Sequence, residues 1–121
     1  MKEIILVGTG GFIGASLRYL TSTWLTQFSR LGFPVGTLSV NFIGCLLLGI
    51  FIGFELETNS TLPLKEFFAI GVLGGFTTFS TFGLESFEML QAGHFKMTAI
   101  YVLGSIVLGL SGIALGIFIT R

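Results

Sequence analysis

Thr77, Thr78, Ser80 and Thr81 follow the pair Gly74-Gly75 and alternate with Phe76, Phe79 and Phe82 in the run GVLGGFTTFSTFG of residues 71–83. Paired glycines weaken a helix, and hydroxyls placed just after a break cap the helix that restarts. A restarted helix offers free N–H groups and a positive dipole end to an anion. The helix that stops there leaves carbonyls suited to a cation. One break thus supplies poles of both signs. Phe79 and Phe82 are three apart and share a face. Such a pair is usually packing, yet a ring has a negative face and a positive edge, and edges can line the path of a small anion without the grip of a fixed cation. Glu85 stands one turn beyond Thr81 on the same face, either hydrogen-bonded to these hydroxyls or a carboxylate at the membrane interface.

Four residues elsewhere carry comparable chemistry. Asn41, after Gly36-Thr37-Leu38-Ser39-Val40, both donates and accepts, which suits an anion or a neighbouring helix. Tyr101 and Ser105 are four apart on one helix face. Arg18 either snorkels to headgroups or gathers anions at a vestibule. Other chemistries are excluded by what is missing. His94 has no metal-ligand spacing around it, and Cys45 is a lone cysteine that reads as a small packing residue. There is no Ser/His/Asp or Cys/His set, no phosphate-binding glycine loop and no basic stripe for nucleic acid. The sequence is not that of an enzyme.

The elements that must position these residues are apolar. Of 121 residues, 52% are hydrophobic, with only six basic and six acidic, against about 25% charged in soluble domains. Four blocks, 4–28, 37–54, 65–89 and 97–119, each approach the ~20 residues that cross a bilayer as a helix. This predicts an all-α membrane protein, one four-helix transmembrane domain over residues 1–121, with a broken third helix. The first block, interrupted by Gly8, Gly10, Gly11 and Arg18, reads as a permanent span and not a cleaved signal. Connectors fall at 29–36, 55–64 and 91–96, with Pro34 and Pro63 placed to start the next helix. Eighteen glycines, among them Gly10/Gly14, Gly49/Gly53 and Gly112/Gly116 at four-residue spacing, predict close helix contacts; Ser105 and Gly109 extend the last ridge.

A helix opens at membrane depth only where protein, ion or water replaces the lost hydrogen bonds, so the break points to an ion or substrate site. No internal repeat supplies a second half for such a site. Lys2, Lys65 and Arg121 fall on one side and Arg30 and Lys96 on the other, three against two, or three against three with Arg18. So small a bias fits orientation set by other signals, or copies inserted both ways and paired head to tail.

With these residues in view, the chain closely resembles the Fluc (CrcB) family of fluoride channels. The likeness runs through GGFIGASLRY at 10–19, PVGTLSVN at 34–41, and GGFTTFSTF at 74–82 followed by Glu85. It implies an antiparallel, dual-topology homodimer in the inner membrane of a prokaryote, multi-pass and embedded in lipid, with two fluoride pores each built from both copies. By motif position, Phe79 and Phe82 would present ring edges to fluoride, and Asn41 would be the pore asparagine. Ser80, Thr81, Glu85, Tyr101 and Ser105 would lie along the fluoride path, with Arg18 at a vestibule. Gly74 and Thr77 would give backbone carbonyls to a central structural sodium ion. Where the family usually carries another hydroxyl a turn beyond Ser105, this chain has Gly109.

Two other classes are open to four-span chains. A small multidrug resistance-type proton-coupled transporter needs a deep carboxylate in the first span, and here that span has only Glu3, at its mouth. A non-transporting assembly subunit would use the glycine ridges but leave the Thr/Ser/Phe-rich break without a purpose.

Overall fold

The structure, a computed structural model, describes residues 1–59 and 65–121, and all regular structure among them is helical. Helices α1 (Lys2–Thr26), α2 (Val35–Thr58) and α5 (Phe95–Ile119) are continuous, with 25, 24 and 25 residues. The third span, Glu66–Gln91, is interrupted. A π-helix, Glu66–Leu73, runs into a single α-turn, α3 (Gly74–Phe76); Thr77, Thr78 and Phe79 lie outside any helix, and α4 (Ser80–Gln91) resumes. All four spans are long and apolar enough to cross a bilayer, so the chain is a multi-pass membrane protein.

Two features differ from the apolar pattern. Helix α2 starts earlier than residue 37, directly after Pro34, and continues past residue 54 through Glu55 and Glu57. Lys65 pairs with Glu55 at 3.2 Å there, and Asn59, left-handed at φ 49°, ends the helix. Charged residues thus extend the helix beyond its apolar block. Pro63, expected to start the third span, lies outside the described residues. The second difference is the π-helix, which no hydrophobic period announces. Its wide i→i+5 turns bring the Gly74 N–H back to the Ala69 carbonyl, and such turns collect at functional sites.

Glycine contacts assemble the bundle. Helix α1 lies along the π-helix and α3, while α2 lies along α5. A Cβ on Gly75 would stand 2.7 Å from the Gly11 carbonyl oxygen, and one on Gly116 would stand 2.6 Å from the Ile50 nitrogen. The helices therefore touch backbone to backbone, as small-residue packing in lipid requires. Few apolar side chains are buried in the single chain: Val40, Phe76, Met89 and Tyr101. Most others face outward.

Candidate functional site

At the break, each freed backbone group tests where a replacement bond comes from. Asn41 of α2 supplies two. Its Nδ2 donates to the Thr78 carbonyl at 3.0 Å and its Oδ1 accepts from the Thr78 N–H at 2.8 Å. A second Nδ2 hydrogen is left over, beside a cavity of about 360 Å³ lined by Asn41, Gly74, Thr77, Phe79, Phe82 and Ser105. Thr78 in turn caps α4: its hydroxyl accepts from the Thr81 N–H at 3.2 Å and lies within hydrogen-bond distance of the Thr81 and Ser80 hydroxyls. Thr77 donates its hydroxyl back to the Leu73 carbonyl at 3.1 Å.

Arg18 completes the support from the other side, with Nε donating to the Gly75 carbonyl at 3.1 Å. It is thus level with the break, in the middle of the third span. Its remaining guanidinium donors are available beyond that bond.

The carbonyls of Gly74 and Thr77 are oxygen donors of the kind a hard cation takes. The Thr78 N–H that would close a helical turn onto Gly74 goes to Asn41 instead. Thr77 is extended, at ψ 157°, which turns its carbonyl out of the helix direction. Unwound carbonyls at a half-helix end are the usual sodium ligands of broken spans. Among the described residues no group of three His, Cys, Asp or Glu could hold a metal ion.

From the cavity a row of rings and hydroxyls leads toward the connector between α1 and α2. Phe79 and Phe82 have centroids 5.6 Å apart, Phe82 and Tyr101 5.1 Å, and Tyr101 and Phe33 5.7 Å. Beside this row, the hydroxyls of Tyr101 and Ser105 are buried with no hydrogen-bond partner among the described residues. Buried polar groups are almost always satisfied, and these two neighbours on one helix face are exceptions, with the Thr37 side chain beside the Tyr101 hydroxyl. The row ends at Thr37, 7% exposed, whose hydroxyl donates to Glu85 Oε1 at 2.5 Å. Pro34 gives α2 no side-chain cap, and this bond sets the Glu85 carboxylate beside the positive end of that helix. A second cavity, about 410 Å³ and lined by Ser22, Thr26, Phe33, Thr37, Thr81 and Glu85, opens there.

The structure therefore brings Asn41, Gly74, Thr77, Phe79, Phe82 and Ser105 to one cavity, with Tyr101 and Glu85 along the row that leaves it. Ser80 sits at the exposed start of α4. Thr37 was not singled out from the sequence, although its place one turn before Asn41 on the same helix face was the available signal. Cys45 lines the first cavity, and a Cβ on Gly109 would meet its Sγ at 3.6 Å, an ordinary contact.

Residues 5–117 match the protein family described as CrcB-like protein, Camphor Resistance (CrcB). The chain is also similar along its whole length to proteins named fluoride-specific ion channel FluC. That of Azobacteroides pseudotrichonymphae is 40% identical over all of this chain and 98% of its own. That of Phocaeicola vulgatus is 38% identical with both chains covered completely. A third, fluoride-specific ion channel FluC 3 of Methanosarcina barkeri, is 43% identical over 96% of this chain and 88% of its own.

Proposed function

The chain belongs to the CrcB-like family, and from that premise we propose that it is a fluoride-selective ion channel, not an enzyme, through which fluoride leaves the cytoplasm by passive electrodiffusion across the inner membrane. The observation that carries this reading is the pair of buried, unpartnered hydroxyls, Tyr101 and Ser105, beside the row of rings. An unmet buried hydroxyl costs about 1–3 kcal/mol, and that cost is relieved when the donor meets an anion. Fluoride is small and strongly hydrated, so its water must be replaced by donors that are numerous but individually weak. The spare Asn41 N–H, the ring edges of Phe79 and Phe82, and these hydroxyls form such a series.

The functional unit is an antiparallel homodimer with two pores. Phe79 is 83% exposed in the single chain, so a pore wall that includes it needs a second copy to close it. Gly74 and Thr77 of both copies would hold a structural sodium ion through their carbonyls. Bound there, the ion supplies fixed positive charge to a dry site.

The test is purified protein in liposomes with a fluoride electrode. Rapid fluoride loss, little chloride loss and a large fall on Phe82→Ile are expected. Retention of fluoride by folded, dimeric protein overturns the reading.

A further inference from the structure

Phe33 has no part in the reading above, yet it ends the row of rings. Its ring meets Tyr101 edge-on, at 5.7 Å between centroids and 78° between planes. Tyr101 is 0% exposed although the polar cavity of about 410 Å³ lies next to it; Phe33, Thr37 and Glu85 line that cavity and Tyr101 does not. The Phe33 ring covers Tyr101 on the cavity side, with Thr37 and Glu85 beside it.

The connector holds the ring in place. Leu31 and Gly32 are both left-handed, at φ 57° and 77°, which reverses the chain. The Phe33 N–H donates to the Arg30 carbonyl at 3.1 Å, and its carbonyl accepts from the Val35 N–H at 2.8 Å and from the Ser29 hydroxyl. A residue bonded on both sides of its backbone, directly before Pro34 and α2, has little freedom to swing away.

We propose that Phe33 is a positioning residue of the anion path: its ring flanks the path at the second cavity and shields the Tyr101 hydroxyl from water, so that the hydroxyl donates to the anion and not to water. This rests on the fluoride-channel reading. In an unshielded site water satisfies the phenol, and an arriving anion has to displace it.

The test is a double-mutant cycle on full-length protein in liposomes. Phe33→Ala, with the milder Phe33→Val beside it, is expected to slow fluoride efflux about tenfold, the worth of one hydrogen bond to a charged group. In a Tyr101→Phe background the same substitution should change efflux by less than about twofold, since no hydroxyl is left to keep dry. An equal slowing in both backgrounds, or none in the first, overturns the proposal. A readout independent of transport is the tyrosine Raman doublet, recorded in a Tyr19→Phe background so that Tyr101 is the sole tyrosine. Phe33→Ala or Phe33→Val should move it from an unbonded to a water-bonded phenol, while Phe33→Leu should leave it. An unmoved doublet overturns the shielding even if the wild type transports nothing; absent transport with a moved doublet instead overturns the channel reading alone.

Discussion

Asn41 commits both ends of its amide to the Thr78 peptide, one bond in each direction, and so stands in for the helical bonds that the break removes. From the sequence both a helix contact and an anion ligand were open to this side chain. Geometry assigns the contact to it and leaves one N–H beside the cavity, so the contact does not use up the side chain. The energetic consequence can be bounded. Hydrogen bonds between membrane helices average about 0.6 kcal/mol, whereas a buried group left unpaired costs up to about 3. Asn41→Ala should therefore lower unfolding free energy by about 1–3 kcal/mol, measured by denaturation in detergent. Asn41→Asp keeps the acceptor for the Thr78 N–H but loses the donor to its carbonyl and brings a negative charge to the cavity. It should unfold more like the wild type than the alanine variant does, yet pass little fluoride. A wild-type rate in Asn41→Asp would remove the asparagine from the path.

The third span is where sequence reading worked furthest and also where it stopped. Gly74-Gly75 and the hydroxyls after them announced the break, because glycine and Ser/Thr act through the local backbone and their effect is written in neighbouring residues. Thr78 caps α4 as such a residue should. The π-helix before the break left no such trace: Glu66–Leu73 is apolar almost throughout, and its close contact, Gly71 against Gly10 of α1, is a tertiary one. The partner of Arg18 was hidden for a related reason. It is a carbonyl 57 positions away, and a backbone acceptor has no residue type to reveal it. The glycine ridges, by contrast, were legible as contacts but not as unequal ones. On α5 a Cβ at Gly116 would stand 2.6 Å from the Ile50 nitrogen, whereas one at Gly109 meets only the Cys45 Sγ at 3.6 Å. Gly116→Ala should cost about 1–3 kcal/mol through overpacking. Gly109→Ala should be neutral, or gain up to ~1 kcal/mol from helix propensity. Melting temperatures of the two variants in one detergent decide it, and equal losses would mean that α2 and α5 do not pack as described.

At the scale of the whole molecule, the single chain leaves the proposed path open, since the Phe79 ring is 83% exposed. Pairing with a second copy in the opposite orientation would place the same break on both sides of a shared centre, which is what a sodium site made of Gly74 and Thr77 carbonyls from two chains requires. The charge distribution permits it. With Arg18 bonded to the break, the end charges are Lys2, Lys65 and Arg121 against Arg30 and Lys96, a difference of one. Orientation so balanced can be pushed either way by a few added lysines, and this separates antiparallel from parallel pairing. Three lysines appended after Arg121 should bias every copy toward one orientation; three inserted in the connector around His94 should bias every copy toward the other. Under antiparallel pairing each variant alone inserts but lacks its inverted partner, so cells expressing it should retain fluoride. Cells expressing both should export it at close to the wild-type rate, because the two populations complement each other. Tag accessibility on sealed vesicles would confirm that each variant faces one way. A uniformly oriented variant that exports fluoride unaided would establish parallel pairing and remove the shared carbonyl site, whose two halves would then lie side by side with the same polarity.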